Sequence, residues 1–280
     1  MAEQWWPGLT PAAAAELRGG FNDDAEVYQR TRPVCPRELF DDLMRVARLS
    51  PGDRVLEIAP GTGQATVPLA ERGLAITAVE LGASLAAMAR RRLARFPAAE
   101  VVTSAFEEWQ PAGDHPWNAV IVFSALHWID PEVRYAKPAA LLRPGGAMVV
   151  AGCQWARPAV AHPFWNDVQQ DYQAVGFRGS PPPPPEEFKP WHFPPSATEA
   201  GFDEAASLLY PFQKTYSAED YLAQLATQST AKELGREKAG KFLGLVRHRL
   251  AAHGWPPLTA TFVGYLAVAI RRERAIRRAD

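Results

Sequence analysis

The chain has 280 residues, 47% of them apolar and 22% charged, enough to bury a substantial core as one large or two small domains. A net charge of −1 gives no global field for nucleic acid or an anionic membrane, and only two cysteines argue against a disulfide framework and fit a reducing, cytoplasmic setting. The opening residues lack a basic stretch followed by an apolar core, so no signal peptide is expected; the apolar run 258–270 falls short of the roughly 20 residues that span a bilayer.

In chain order, residues 1–20 read as an Ala- and Trp-rich leader, and 21–49 as helical, broken by Pro33 and Pro36. Strands are expected at 53–59, 74–80, 99–103, 117–123 and 146–152, and helices at 63–72, 82–96 and 130–142. That alternation means a parallel sheet covered on both faces, with a ligand at the carboxyl ends of the strands. Beyond 153 the pattern changes. A helix is expected at 158–178 and a stiff polyproline segment at 181–185. A strand at 205–216, helices at 217–229 and 231–252, and a strand at 258–270 complete the chain.

The most informative stretch is Asp53-Arg-Val-Leu-Glu-Ile-Ala-Pro-Gly-Thr-Gly-Gln64. A buried strand runs into a glycine turn and then a helix, which brings backbone N–H groups close to a ligand. The next strand ends in Glu80, an acid able to bind two ribose hydroxyls. Together these features point to a nucleoside-containing cofactor. A dinucleotide fold takes Gly-x-Gly-x-x-Gly or Ala, and Thr66 stands at the third place, so that fingerprint is incomplete.

The wider series is Val-Leu-Glu57-Ile-Ala-Pro-Gly-Thr-Gly, Ala-Val-Glu80-Leu, Ala-Leu-His127-Trp128-Ile-Asp130 and Leu-Leu-Arg-Pro144-Gly-Gly146. It resembles the class I S-adenosylmethionine-dependent methyltransferases, and within them bacterial small-molecule enzymes distantly similar to trans-aconitate methyltransferase. The resemblance covers residues 20–155 well and the rest loosely. It implies an α/β, Rossmann-like, seven-stranded and mostly parallel sheet with helices on both faces. An antiparallel pair, 205–216 with 258–270, closes the sheet. Residues 1–50 then form a helical segment closing over the cofactor, and 51–280 the methyltransferase domain, with 155–200 and 217–252 as insertions walling a substrate pocket. S-adenosyl-L-methionine is the implied cofactor and a small molecule the implied acceptor, through oxygen, nitrogen or carbon; the oligomeric state stays open.

On that resemblance, Gly61 and Gly63 approach the methionine part of the cofactor, with Ala59 where the family's usual first glycine stands. Thr62 and Gln64 offer side-chain hydrogen bonds to the cofactor or cap the helix. Glu80 takes the ribose, with Leu81 beside it. Ala105 stands where the family often has an adenine-binding Asp, leaving Phe106 or Glu107 to substitute. Ser124 ends the fourth strand, and His127 is the candidate catalytic base. Glu57 orients the turn or binds water. The segment Tyr28…Arg32-Pro33…Pro36 matches the family's N-terminal Tyr…Arg-Pro…Pro, so Arg32 and Tyr28 are expected at the methionine carboxylate. Trp155, Phe164, Trp165, Tyr172, Phe177, Phe188, Trp191, His192 and Phe193 suit either an aromatic acceptor pocket or a packed lid.

No metal spacing, nucleophile elbow or Asn/Asp-Pro-Pro-Tyr tetrapeptide is present. The basic end, Arg271 to Arg278, reads as solvated rather than as an RNA contact. A nicotinamide-dependent oxidoreductase, a non-catalytic cofactor-binding protein and a macromolecular methyltransferase are the alternatives.

Overall fold

The computed structural model describes residues 25–113, 116–158, 162–177, 181–228 and 234–273. The expected leader at 1–20 lies outside them, as do Arg274, Arg277 and Arg278. Strands β1 (Arg54–Ile58), β2 (Ala75–Glu80), β3 (Ala99–Thr103), β4 (Trp117–Phe123), β5 (Leu142–Ala156), β6 (Phe202–Tyr216) and β7 (Leu258–Arg271) form one sheet in the order β3-β2-β1-β4-β5-β7-β6. The first five are parallel, with Ile58 opposite Val79 and Val122; β7 runs antiparallel between β5 and β6. The strand order reverses between β1 and β4, where an open α/β sheet binds its ligand.

Both faces of the sheet are apolar because helices cover both. On one face, Val55, Ile76, Ile121 and Val149 pack under helices α2 (Arg37–Val46), α3 (Thr66–Glu71) and α4 (Ala83–Leu93), chiefly through Leu39, Phe40, Leu43, Leu69 and Leu93, while α1 (Ala25–Thr31) packs against α4. On the other, Leu56, Ile58, Val120, Val122 and Met148 meet Trp109, Ile129 and Tyr135, close to α5 (Ala136–Leu141), and Ala197 of α7 (Pro195–Glu199). Successive strand residues alternate between the two clusters, as the pleat requires.

A third cluster lies at the far ends of β6 and β7. There α6 (Phe164–Ala174), α8 (Ala218–Ala226) and α9 (Gly235–Ala252) enclose Phe164, Tyr216, Tyr221, Phe242 and Phe262. The buried stripe Phe242, Val246, Leu250 recurs every four residues of α9, which seats one face of that helix. Ser217 caps α8 by accepting the Asp220 amide at 3.0 Å, with Glu219 and Asp220 in the first turn.

Element boundaries moved where turn chemistry or a long partner overrode the pattern. The expected helix at 63–72 begins only at Thr66, because Gly61 and Gly63 hold positive φ of 61° and 79°. The helix expected at 130–142 is reduced to α5, since the Asp130 carboxylate accepts the Glu132 amide and turns the chain. Strand β5 runs well past 152 because the long β7 pairs with it as far as Ala156↔Thr261. The expected helices at 158–178, 217–229 and 231–252 are shorter, and residues 159–161, 178–180 and 229–233 lie outside the described residues.

Candidate functional site

The carboxyl ends of β1, β2 and β4 bring together Ala59, Gly61, Gly63, Glu80 and Ser124. The backbone here is unusual: Ala59 (φ 53°) and Ser124 (φ 52°) occupy the left-handed region that favours glycine. The family's first glycine is therefore missing from a position whose geometry still calls for one. Gly63 also lets the loop approach α4, since a Cβ there would lie 3.5 Å from the Ala89 Cβ.

Glu80 is buried, and its carboxylate braces the loop. Oε2 accepts the Gly61 amide at 2.9 Å and Oε1 the Gly82 amide at 2.8 Å. Burial pushes its pKa up, and the Gly82, Gly61 and Leu81 amides counter that in part. Leu81, next along, is exposed at 44%, an apolar side chain turned to solvent. Glu57 is fully buried, and neither of its carboxylate oxygens has a hydrogen bond of ordinary geometry. Desolvation drives its pKa up to about 7; the adjacent Thr66 hydroxyl opposes this and the Glu80 charge adds to it.

Helix α1 closes over the loop through a residue that sequence reasoning missed. The buried Thr62 hydroxyl donates to Gln29 Oε1 at 2.5 Å, Arg92 donates to the same oxygen at 2.8 Å and to the Thr62 carbonyl at 2.9 Å, and Gln64 Nε2 donates to the Gln29 carbonyl at 3.2 Å. Thr62 and Gln64 thus hold the N-terminal segment. The Tyr28 ring lies over Gly61, 3.8 Å from where a Cβ would stand, and the Arg32 guanidinium sits 4.8 Å from the centre of that ring. Arg32 Nη2 donates to the Thr227 carbonyl at 2.7 Å, while its Nε is buried without a partner. Lys214 on β6 grips the same segment, donating to the carbonyls of Arg30, Thr31 and Arg32.

Phe106 is buried in the core beneath Lys137, whose ammonium donates to the carbonyls of Phe106, Glu107 and Trp109. The Ala105 carbonyl accepts the amides of Glu108 and Trp109, forming a turn without a carboxylate. His127 lies in a short 3₁₀ turn, Leu126–Trp128, with its ring 4.6 Å from that of Trp128. Its side chain reaches solvent yet has protein packed around it. That desolvation, with the Arg134 charge, pushes its pKa down to about 4.

Gly152 and Tyr265 are further residues that the sequence did not single out. A Cβ on Gly152 would clash with the Ser124 hydroxyl and the Tyr265 phenol, which meet there. Burial raises the Tyr265 pKa, so that phenol is neutral. Of the aromatic residues expected as a pocket or a lid, Phe164, Trp155, Trp165 and Tyr172 pack into the helical cluster, and Trp191 and Phe193 against the sheet core near Tyr135. No cluster of histidine, cysteine and acids able to hold a metal occurs among the described residues. No helix among them is long and apolar enough to cross a membrane.

The strand order, the glycine turn after β1 and the acid ending β2 define a class I, Rossmann-like methyltransferase fold. Residues 55–146 match the family described as a methyltransferase domain. An uncharacterized methyltransferase of Mycobacterium tuberculosis is 35% identical over 128 residues, covering 46% of this chain and 49% of the relative. A demethylmenaquinone methyltransferase of Beutenbergia cavernae is 32% identical over 142 residues, covering 49% and 57%. The chain thus spans about half the length of the curated relatives it matches. A solved structure from Anaeromyxobacter dehalogenans, assigned to the type II methyltransferases, shares the fold with a TM-score of 0.59 at 22% identity, covering 86% of this chain and 97% of that one.

Proposed function

We propose that the chain transfers the methyl group of S-adenosylmethionine to a small-molecule acceptor by in-line displacement, the attacking atom being oxygen, nitrogen or carbon. The observation that carries this reading is the turn Gly61–Gly63 at the switch point, braced from one side by Glu80 and closed from the other by Tyr28 and Gln29. The surroundings fit a ligand that is polar at one end and flat and apolar at the other. Glu57 presents buried oxygens without partners near the turn, and Leu81 an exposed apolar surface beside Glu80.

In this reading residues 25–50 are a cap, and the helices of 155–200 and 217–252 wall the acceptor side. Bound S-adenosylmethionine supplies an electrophilic methyl group on a positively charged sulfur. The work of the chain is then alignment and exclusion of water, which reach roughly 7–11 kcal/mol at most. Glu80 has about four acceptor positions, of which its two short amide bonds leave at most two for ribose hydroxyls. Arg32 Nε is an open donor for the methionine carboxylate. His127 is neutral throughout the physiological range and in this reading takes the proton of an acceptor that must lose one.

The test is transfer of labelled methyl from S-adenosylmethionine to a panel of acceptors. Demethylmenaquinone comes first, on the strength of the named relatives, followed by carboxylates, phenols and amines. Labelled product with any of them supports the reading. A second reading, cofactor binding without transfer, is favoured by Ala105, which offers no carboxylate for adenine. It predicts binding and no labelled product with any acceptor.

A further inference from the structure

Helix α9 carries five arginines and lysines and a single acid, Glu237, in a chain whose net charge is −1. Phe242, Val246 and Leu250 turn one side of it into the helical cluster, where it packs against α6 and α8. Arg236, Lys238, Lys241 and Arg247 are exposed. Among the described residues, Arg249 alone of the five pairs with an acid, Asp171. The local charge of this face is therefore opposite in sign to that of the chain, and it is unneutralised.

At about 100° per residue, Arg236 and Arg247 fall along one edge of the exposed face and Lys241 along the other. Gly240, Gly244 and Ala251 lie between these edges and are exposed. A Cβ on Gly240 or Gly244 would meet nothing within 4 Å, so the middle of the face is low and open. Nothing there keeps the cations on either edge from meeting one flat partner.

The chain leaves α9 through Gly254 and Trp255, whose amide donates to the Leu250 carbonyl at 2.9 Å. Trp255 holds a φ of 53°, which a bulky residue rarely adopts, and it is 38% exposed. The Arg247 guanidinium lies 6.0 Å from the centre of its ring. A strained turn thus sets an exposed indole beside the cationic face.

We infer that the outer face of α9 is a docking surface for an anionic lipid bilayer, with the helix lying flat on the headgroups and Trp255 seated among them. The unpaired cations select a partner of negative charge. The open middle of the face suits a flat one, and indole is a ring that sits at the level of lipid headgroups. Single-stranded nucleic acid is less well served, because its bases stack on aromatic platforms and this face offers one ring, with Arg247 over it. The apolar side of α9 is used inside the protein, so attachment is electrostatic, reversible and weakened by salt. Each cation at an anionic leaflet strengthens attachment by about fivefold. This claim concerns α9 and the turn after it, and it stands or falls independently of the proposed methyl transfer.

The experiment is sedimentation of the full chain with phosphatidylcholine vesicles, with and without phosphatidylserine, at low and at physiological salt. Binding to the anionic vesicles alone, weakened by salt, is expected. Lys238→Gln/Lys241→Gln should lower the partition coefficient by roughly 25-fold, at about fivefold for each charge. Trp255→Ser should weaken binding and leave its salt dependence unchanged. Arg48→Gln/Arg91→Gln removes the same charge from exposed residues elsewhere on the surface and should bind like the unaltered chain. These four charge substitutions are at exposed positions and should leave the melting temperature unchanged. Equal binding to both kinds of vesicle, no binding to either, or an equal loss in the two double variants would overturn the inference. So would tighter binding to polyuridylic acid than to the anionic vesicles, which would make the face a nucleic-acid surface.

Discussion

Glu80 and Gly61 are joined by a hydrogen bond in which the Gly61 amide donates to Glu80 Oε2 at 2.9 Å, so the acid at the end of β2 holds the turn at the end of β1. In the proposed function one side chain shapes the cofactor loop and receives the ribose. Glu80→Gln exchanges a charged acceptor for a neutral amide. A hydrogen bond to a charged group contributes about 1.5–3 kcal/mol. Affinity for S-adenosylhomocysteine is expected to fall by roughly 10- to 100-fold, with little loss of thermal stability. Calorimetry on both proteins checks this, and unchanged affinity would remove Glu80 from the site.

Ala59 carries strain that glycine would not. At φ 53° an L side chain costs about 1–2 kcal/mol, part of which is offset by the greater freedom of unfolded glycine. Ala59→Gly is therefore expected to raise the melting temperature by about 2 °C. Scanning calorimetry decides; a fall in melting temperature would show that the Ala59 methyl contributes more to packing than its backbone costs.

Glu57 sets a pH dependence. Its folded pKa is raised from 4.5 to about 7, so the folded chain holds a proton that the unfolded chain releases. The resulting stability is fully present below about pH 4.5 and is lost as pH rises through about 7. Glu57→Gln should flatten that part of the stability–pH curve and stabilise the protein at pH 8, by up to about 3 kcal/mol. Urea titrations at several pH values measure it.

Asp171 on α6 and Arg249 on α9 form a two-point pair, at 2.6 and 2.8 Å, that ties the helical cluster together. The carboxylate is buried, so removing its partner leaves a charge in low dielectric. Arg249→Met is expected to cost about 3 kcal/mol, at the low end for buried pairs because Arg249 is partly exposed. The double variant Asp171→Leu/Arg249→Met should recover much of that loss in urea unfolding.

The low pKa of His127 separates two roles. A base with a pKa of about 4 is already deprotonated at pH 6, so turnover should show no inflection near 6.5 from this group. If His127 takes the acceptor proton, His127→Ala should lower turnover by roughly 10²–10⁴-fold and leave cofactor affinity unchanged. Unchanged turnover would assign it a structural place beside Trp128.

Much of the fold was legible because its strands carry their own signal. The runs 99–103 and 117–123 appear in the structure with the expected bounds, and the closing antiparallel pair is β6 with β7. Helix ends were less legible, since Gly61, Gly63 and Asp130 act through backbone conformation and side-chain turns rather than periodicity. Gln29 escaped notice because nothing local marks a glutamine that caps a loop more than thirty residues away. Tyr265 and Gly152 escaped for a related reason: their meeting with Ser124 depends on the register between β5 and β7.

The central claim is tested most directly by calorimetric titration of the purified chain with S-adenosylmethionine and S-adenosylhomocysteine, with NAD alongside. Micromolar binding of the first two, lost in Glu80→Ala, and no binding of NAD is the predicted result. Selective binding of NAD, or binding of none of the three, would contradict it.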